Sequence, residues 1–356
     1  MKSPSIMLHG LFVIFDCPQQ GNDKSWLYEN LKMLYRGTVI PVYAPCVLST
    51  LYRRGLWGFF LYRWFLWRQA FSTIFKSSKG DGILCWGEMT GYMVWLIKRL
   101  FHLDRKVILM NWLSPNEKIP FYYKSIQCGI ARDGDCQIIV NTQESISEWC
   151  DFLKTNRREG FHFVPDVYDI KVPFKEVVLR EKNYFFSGGI TNRDWLMVTQ
   201  LASEMPQMTF VCVALKKDFH SKVKFFPSNL QVYYDLPVEC YYRLLSDAYA
   251  VLLPLEEKTV SGLINIIRSA QEGIPCLVTR TAGTEQYYPK ALQDTLMCEY
   301  LSEWKASLEK LLSMDNAEYM ELCNQFQSYI RDSFSPLIAA GDICKVCVSN
   351  LNYSID

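Results

Sequence analysis

The sequence has almost no net charge. Its 38 Lys and Arg stand against 37 Asp and Glu, leaving +1, so the chain as a whole is not a polyelectrolyte and shows no global sign of nucleic-acid binding. It lacks a paired cysteine framework. Thirteen cysteines follow no repeating spacing, and Cys344 and Cys347 form a Cys-x-x-Cys without the second pair that a zinc site needs. Reduced thiols in a cytoplasmic enzyme fit this usage. Met1-Lys2-Ser3-Pro4 leads straight into an apolar run that reads as a strand and not as a secretory leader. No short-period repeat and no low-complexity segment is present.

What is present is globular. At roughly 150 residues per domain, 356 residues suggest two domains. Apolar residues make up 49% and charged residues 21%, enough of each for a buried core and a solvated surface. Aromatic residues are concentrated in LYRRGLWGFFLYRWFLWRQAFSTIF, residues 51–75, where Trp57, Trp64 and Trp67 stand beside Arg53, Arg54, Arg63 and Arg68. Those arginines exclude a spanning helix, which needs about 20 mostly apolar residues. The mixture fits a helix lying at a membrane surface, apolar side down with arginines at the headgroups. The alternative is an amphipathic helix covering a sheet.

Apolar strands alternate with amphipathic helices almost to the end, which predicts an α/β fold with parallel sheets. SIMLHGLFVIF, GTVIPVYA, GILCWG, KVILMNW and CQIIVNT read as strands of a first domain. NYFFSGG, MTFVCVAL, LQVYYDL, YAVLLPL and IPCLVTR read as strands of a second. DIKVPFKEVVLREK breaks both periodicities and is the expected linker, near Val172. The reading is two Rossmann-like doubly wound domains, 1–172 and 173–335, with ligands expected at the carboxyl ends of strands facing each other across a cleft.

The order of several segments resembles the GT-B glycosyltransferases, in the bacterial group (family four, group 1) that builds surface polysaccharides and glycolipids. IIVNTQESISEWCDFL with FHFVPDVYD resembles the segment ahead of the family's linker. FFSGGITNRDW resembles its first donor-domain strand and phosphate turn. NLQVYYDLPVECYYRLLSDAYAVLLPL and SGLINIIRSAQEGIPCLVT resemble the strands and helices around the nucleotide, and FQSYIRDSFSP the closing helix, after which 336–356 would return to the first domain. The resemblance covers roughly residues 80–340.

It implies sugar transfer from a nucleotide-sugar donor, without metal or other cofactor and with retained configuration. Charge on the departing nucleoside diphosphate would be met by helix N-termini and basic side chains. Gly188 and Gly189 would admit the diphosphate to the backbone. Arg193, in the first turn of the next helix, would reach it with a forked pair of hydrogen bonds. Thr259 or Ser261 would cap a second helix, with Gly262 leaving room for phosphate and Lys258 adding charge. The base would rest near Leu215 and between Tyr234 and Leu236. The loop Arg280–Tyr288 would also reach the cleft. Two glutamates common in the family are missing, since Val260 and Arg268 stand there; Arg268 is expected to pair with a carboxylate.

In the first domain Glu88, after GILCWG, is the candidate to deprotonate an acceptor hydroxyl, with His9 weaker. Asp133-Gly134-Asp135 precedes a strand and reads as a turn, not as a metal site. The expected partners are a nucleotide sugar, a saccharide or lipid-linked acceptor and a membrane surface at residues 51–75, at the inner face of the plasma membrane. A catalytically silent module of the same fold, binding a glycan or protein, is the alternative.

Overall fold

The structure, a computed structural model, describes residues 10–16, 25–45, 55–112, 115, 119–189, 192–256 and 261–349. From the amino end run β1 (Leu11–Ile14), α1 (Ser25–Leu34), β2 (Val39–Val42), α2 (Gly55–Lys76), β3 (Gly82–Cys85), α3 (Glu88–Leu100), β4 (Lys106–Leu109), α4 (Phe121–Arg132), β5 (Cys136–Val140), α5 (Gln143–Leu153) and β6 (Phe161–Phe163). Then come β7 (Tyr184–Gly188), α6 (Trp195–Glu204), β8 (Thr209–Ala214), α7 (Lys216–Lys222), β9 (Leu230–Tyr234), α8 (Val238–Ser246), β10 (Ala250–Leu253) and α9 (Leu263–Gln271). The chain closes with β11 (Cys276–Thr279), α10 (Ala282–Glu285), α11 (Lys290–Leu296), β12 (Met297–Cys298), α12 (Leu301–Ser313), α13 (Asn316–Ser333) and α14 (Pro336–Ser349).

The strands form two six-stranded sheets, ordered β2-β1-β3-β4-β5-β6 and β12-β11-β10-β7-β8-β9, and every registered pair is parallel. A parallel sheet is covered by helices on both faces, so its strands must be apolar throughout and not alternating. β1 (LFVI), β3 (GILC) and β10 (AVLL) are buried at every position. Helix starts follow local chemistry. Thr142 caps α5, Asp194 caps α6, and Asp315 with Glu318 forms a capping box at α13.

Each sheet has its own core. The chain divides at Pro165/Asp166 and again at Ser335/Pro336, the final stretch belonging to the first unit, where α14 packs against α1. The first division falls before the polar stretch around Val172. Asp166 N–H donates to the Tyr287 hydroxyl at 3.1 Å, and the Gln271 amide donates to the carbonyls of Asp169 and Val172 at 2.9 and 2.6 Å, binding these residues to the second unit.

Strand order reverses between β1 and β3 in the first unit and between β7 and β10 in the second. At such a point the connections leave to opposite sides of the sheet, and a crevice opens at the carboxyl ends of the strands.

Candidate functional site

In the second unit the reversal is where FFSGG ends. Gly188 closes β7 in register with Val213, and the Gly189 N–H donates to the Val213 carbonyl at 3.2 Å. Side chains fill the space the two glycines leave. A Cβ on Gly188 would stand 2.5 Å from the Tyr241 ring, and one on Gly189 2.4 Å from the Arg193 guanidinium, where φ is also +140°. Both conditions at 189 call for glycine.

Arg193 is not in the first helical turn. Asp194 is the N-cap of α6, its carboxylate accepting from Met197 N–H, because a short acidic side chain satisfies an orphan amide and a guanidinium does not. Arg193 precedes the cap and pairs antiparallel with Leu255, the segment that follows β10. This lays the loops after β7 and β10 side by side. The Arg193 side chain is 4% exposed. Its Nε donates to the Gly188 carbonyl at 2.9 Å and its Nη1 to Ser261 Oγ at 3.3 Å. Burial pulls its pKa below the ordinary value. Behind it, Lys222 donates to the Arg193 carbonyl and pairs with Asp218 at 3.1 Å and Glu256 at 3.0 Å.

The second helix start also differs from expectation. Gly262, with φ +80°, is the N-cap of α9 and offers no side-chain acceptor. Ser261 stands just outside, bonded to Arg193, while Lys258 and Thr259 lie outside the described residues. The α9 N-terminus, with its positive dipole end, therefore shares the switch point with Arg193, Ser261 and Gly188. Asn265 in its first turn donates to the Gly188 carbonyl at 3.0 Å. Beneath Gly188 the Tyr241 hydroxyl is buried near Asn265, and burial raises its pKa.

The predicted base site is on the same edge. Leu215 is the half-exposed residue capping α7, and Ala214 pairs in register with Tyr234, so Leu215 and Tyr234–Leu236 follow neighbouring strands. The Tyr234 ring packs on His220 (5.3 Å) and Phe219 (6.2 Å), leaving backbone to face this edge. Arg268 pairs with a carboxylate, as expected: Nη2 is 2.8 Å from Glu272, and its guanidinium lies 4.5 Å over Tyr242. It is about 9 Å along α9 from the N-cap. In the 280–288 loop, Tyr287 and Tyr288 are core residues, and Arg280 is held by Glu285 and Asp294.

In the first unit Glu88 opens α3 at the reversal between β1 and β3, behind an uncapped Gly87 whose Cβ position lies 3.3 Å from Asp16. One Glu88 oxygen accepts from the Tyr92 hydroxyl and, at 3.1 Å, from the Gln127 amide. The other has no partner among the described residues. Burial, then Glu88, pushes the Tyr92 pKa up, so Tyr92 stays a donor and fixes the carboxylate. At the end of β2 a cavity of about 370 Å³ is lined by Tyr43, Ala44, Pro45 and, from α2, Phe65, Arg68 and Ser72. His9 lies outside the described residues. Asp133 and Asp135 both grip Lys98 (3.1 Å each), and Asp135 also holds Lys106 (2.6 Å), at the start of β5, away from the carboxyl edge.

Two doubly wound parallel sheets in one chain, with the last helix returning to the first, define the GT-B fold of glycosyltransferases. The chain is similar to HepE of Anabaena in complex with UDP and glucose, with 12% identity over 96% of this chain and 100% of that one and a TM-score of 0.69. It is also similar to the trehalose-6-phosphate synthase OtsA (9% identity, 97% and 99% covered, TM-score 0.63). A third is WaaG, a glycosyltransferase involved in lipopolysaccharide biosynthesis (12%, 95% and 99%, TM-score 0.55). No protein-family model matches the chain, and no curated protein matches it by sequence.

Proposed function

We propose that the chain is a glycosyltransferase that takes a sugar from a nucleotide-sugar donor, without a metal ion and with retention, and passes it to a membrane-associated acceptor, a lipid-linked saccharide or glycolipid. The observation that carries this is the meeting of the α9 N-terminus, Ser261 and the Arg193 guanidinium at the switch point of the second sheet. Backbone amides, a helix dipole and a buried cation together suit a diphosphate. The complex of HepE with UDP and glucose supports the choice of nucleotide.

In the reaction, the bond from the anomeric carbon to the donor phosphate oxygen breaks and its electron pair leaves on the nucleoside diphosphate. Charge grows on that oxygen as the bond stretches, and preorganised donors stabilise it most at that moment. The acceptor hydroxyl oxygen bonds to the anomeric carbon on the face that the diphosphate leaves, which keeps the configuration, and its proton goes to Glu88, which Tyr92 and Gln127 hold from one side. The cavity beside Arg68 and Ser72 is assigned to the acceptor. The proposed place of work is the cytoplasmic face of the plasma membrane, a reducing compartment in which the described cysteines would stay thiols.

A thermal-shift screen of nucleoside diphosphates tests the donor site. Saturation at about 100 times Kd should add about 2.7 kcal/mol of stability, and a uridine diphosphate is expected to give the largest shift. Nucleoside diphosphate release that depends on an added acceptor then tests transfer. Binding without release would leave a silent module, and no shift with any nucleotide would remove the donor site altogether.

A further inference from the structure

Helix α2 buries small and aliphatic groups with two polar ones and turns its large aromatic rings outward. Its buried side carries Gly58, Leu66, Gln69, Ala70, Thr73 and Ile74. The opposite stripe, at three- and four-residue spacing on one face, is Trp57, Phe60, Trp64, Arg68, Phe71 and Phe75. Trp57 is 81% exposed and Trp64 64%. The helix cannot roll to hide this stripe. Gln69 is clamped to the Phe15 and Val42 carbonyls at 3.0 and 3.1 Å, at the carboxyl ends of β1 and β2. The stripe continues onto the end of α3, where Phe101 meets Phe71 and Phe75 edge-on (6.2 and 5.4 Å) beside an exposed Leu100.

Charge selects the occupant. Residues 30–80 hold eight Lys and Arg and no Asp or Glu, in a chain whose totals are 38 and 37. Arg68, in mid-stripe, and Lys76 and Arg99 at its end make no ion pair or hydrogen bond among the described residues, and all three are exposed. A second copy docked by two-fold symmetry would set this cationic face against itself. No described helix is long and apolar enough to cross a membrane, but a 22-residue helix about 33 Å long can lie along one.

We propose that the outward stripe of α2, continued by Leu100 and Phe101, docks flat on a bilayer rich in anionic phospholipid. The aromatic rings enter the headgroup–acyl boundary and Arg68, Lys76 and Arg99 meet lipid phosphates. This deepens the membrane-acceptor reading and rests on it for its purpose, because α2 also lines the cavity at the end of β2. The binding itself needs no catalysis.

The test is sedimentation of the full chain with phosphatidylcholine vesicles, with and without phosphatidylglycerol. Binding is expected only with phosphatidylglycerol and is expected to weaken as salt rises. The double variant Trp57→Ser/Trp64→Ser and the single variant Arg68→Glu should each lower partitioning about tenfold. Both should keep the wild-type melting temperature, since all three positions face solvent. Equal binding to neutral vesicles, no binding to either, or wild-type partitioning by both variants would overturn the proposal. So would a dimer in sedimentation velocity that Trp57→Ser/Trp64→Ser dissolves, which would give the face to a second copy. A nucleotide thermal shift on the same samples separates the two readings: vesicle binding without any shift keeps this face and removes the donor site, and the converse removes only the face.

Discussion

The two units use charge in opposite ways. At the switch point of the first sheet stands a carboxylate, Glu88, held by neutral donors; at that of the second stands a guanidinium, Arg193, holding a carbonyl and a hydroxyl. Deeper inside the signs are exchanged. The first unit buries an ammonium, Lys98, between Asp133 and Asp135. The second buries a carboxylate, Glu272, with its side chain 1% exposed, between Arg268 (2.8 Å) and Lys175 (2.5 Å). The interior charge is matched by the protein itself. Under the proposed function the edge charges face ligands from outside, Glu88 the proton of an acceptor and Arg193 a diphosphate.

The largest effect should come from breaking the interior pairs. Lys98→Met strands Asp133 and should cost about 3–5 kcal/mol of stability, and Glu272→Gln about 3 kcal/mol, because the half-exposed Lys175 can turn to water. Their pH dependences run in opposite directions. Burial works against the Glu272 charge, but Lys175, Ser246 and Arg268 outweigh it and depress its pKa. Its stabilisation is therefore present above the ordinary 4.5 and lost as pH falls through the folded value. Burial likewise opposes the Lys98 charge, yet its carboxylate partners raise its pKa, so that stabilisation is present below 10.5 and lost as pH rises through the folded value. Asp133 and Asp135 are depressed as well, so acid weakens both units, and alkali does too, since Glu256 and Asp218 raise the Lys222 pKa in the second unit against its burial. Urea titrations across pH should show a smaller alkaline loss in Lys98→Met than in Glu272→Gln, and a smaller acid loss in Glu272→Gln than in the wild type.

At the edges the expected losses are in rate. Arg193→Ala should lower turnover by about 10²–10³-fold, or about 3–4 kcal/mol, the scale of a lost oxyanion donor. Arg193→Lys should recover part of this without the fork that spans Gly188 and Ser261. Glu88→Gln keeps the shape of the Tyr92–Gln127 cluster and should cost about 10²-fold in turnover while donor-induced thermal shifts remain. An equal loss of donor affinity in Glu88→Gln and Arg193→Ala would dissolve the division of labour between the units.

Much of the fold was legible in the sequence because a sheet covered on both faces writes itself as continuous apolar runs, and β1, β3 and β10 do so. The Arg268 pairing was also legible: Glu272 stands four residues on, one helical turn away. What was hidden depends on distant partners. The aromatic period of α2 was plain, but both of its sides are apolar. Its orientation is set by Gln69, whose acceptors Phe15 and Val42 are 54 and 27 residues away in sequence. Tyr287 and Tyr288 follow Thr281–Glu285 in a segment that reads as a loop. They are core because the Tyr288 hydroxyl reaches the Cys276 carbonyl at 2.9 Å and the ring stacks on Phe326 at 5.2 Å. The Arg193 register turned on one competition at a helix start, which Asp194 wins.

The smallest effect concerns Tyr234. The family resemblance puts this residue beside the nucleotide base; in the structure it pairs with Ala214 at the carboxyl ends of β8 and β9. The ring, however, is committed to His220 and Phe219. A base resting here meets the backbone that follows, not the phenol. Tyr234→Phe removes only a hydroxyl from a half-buried ring and should change stability by less than about 0.5 kcal/mol. Uridine diphosphate affinity, read by titration calorimetry, should stay within about twofold of wild type, equivalent to about 0.4 kcal/mol. A tenfold loss would mean that the hydroxyl touches the base and that the ring swings away from His220 when the donor binds.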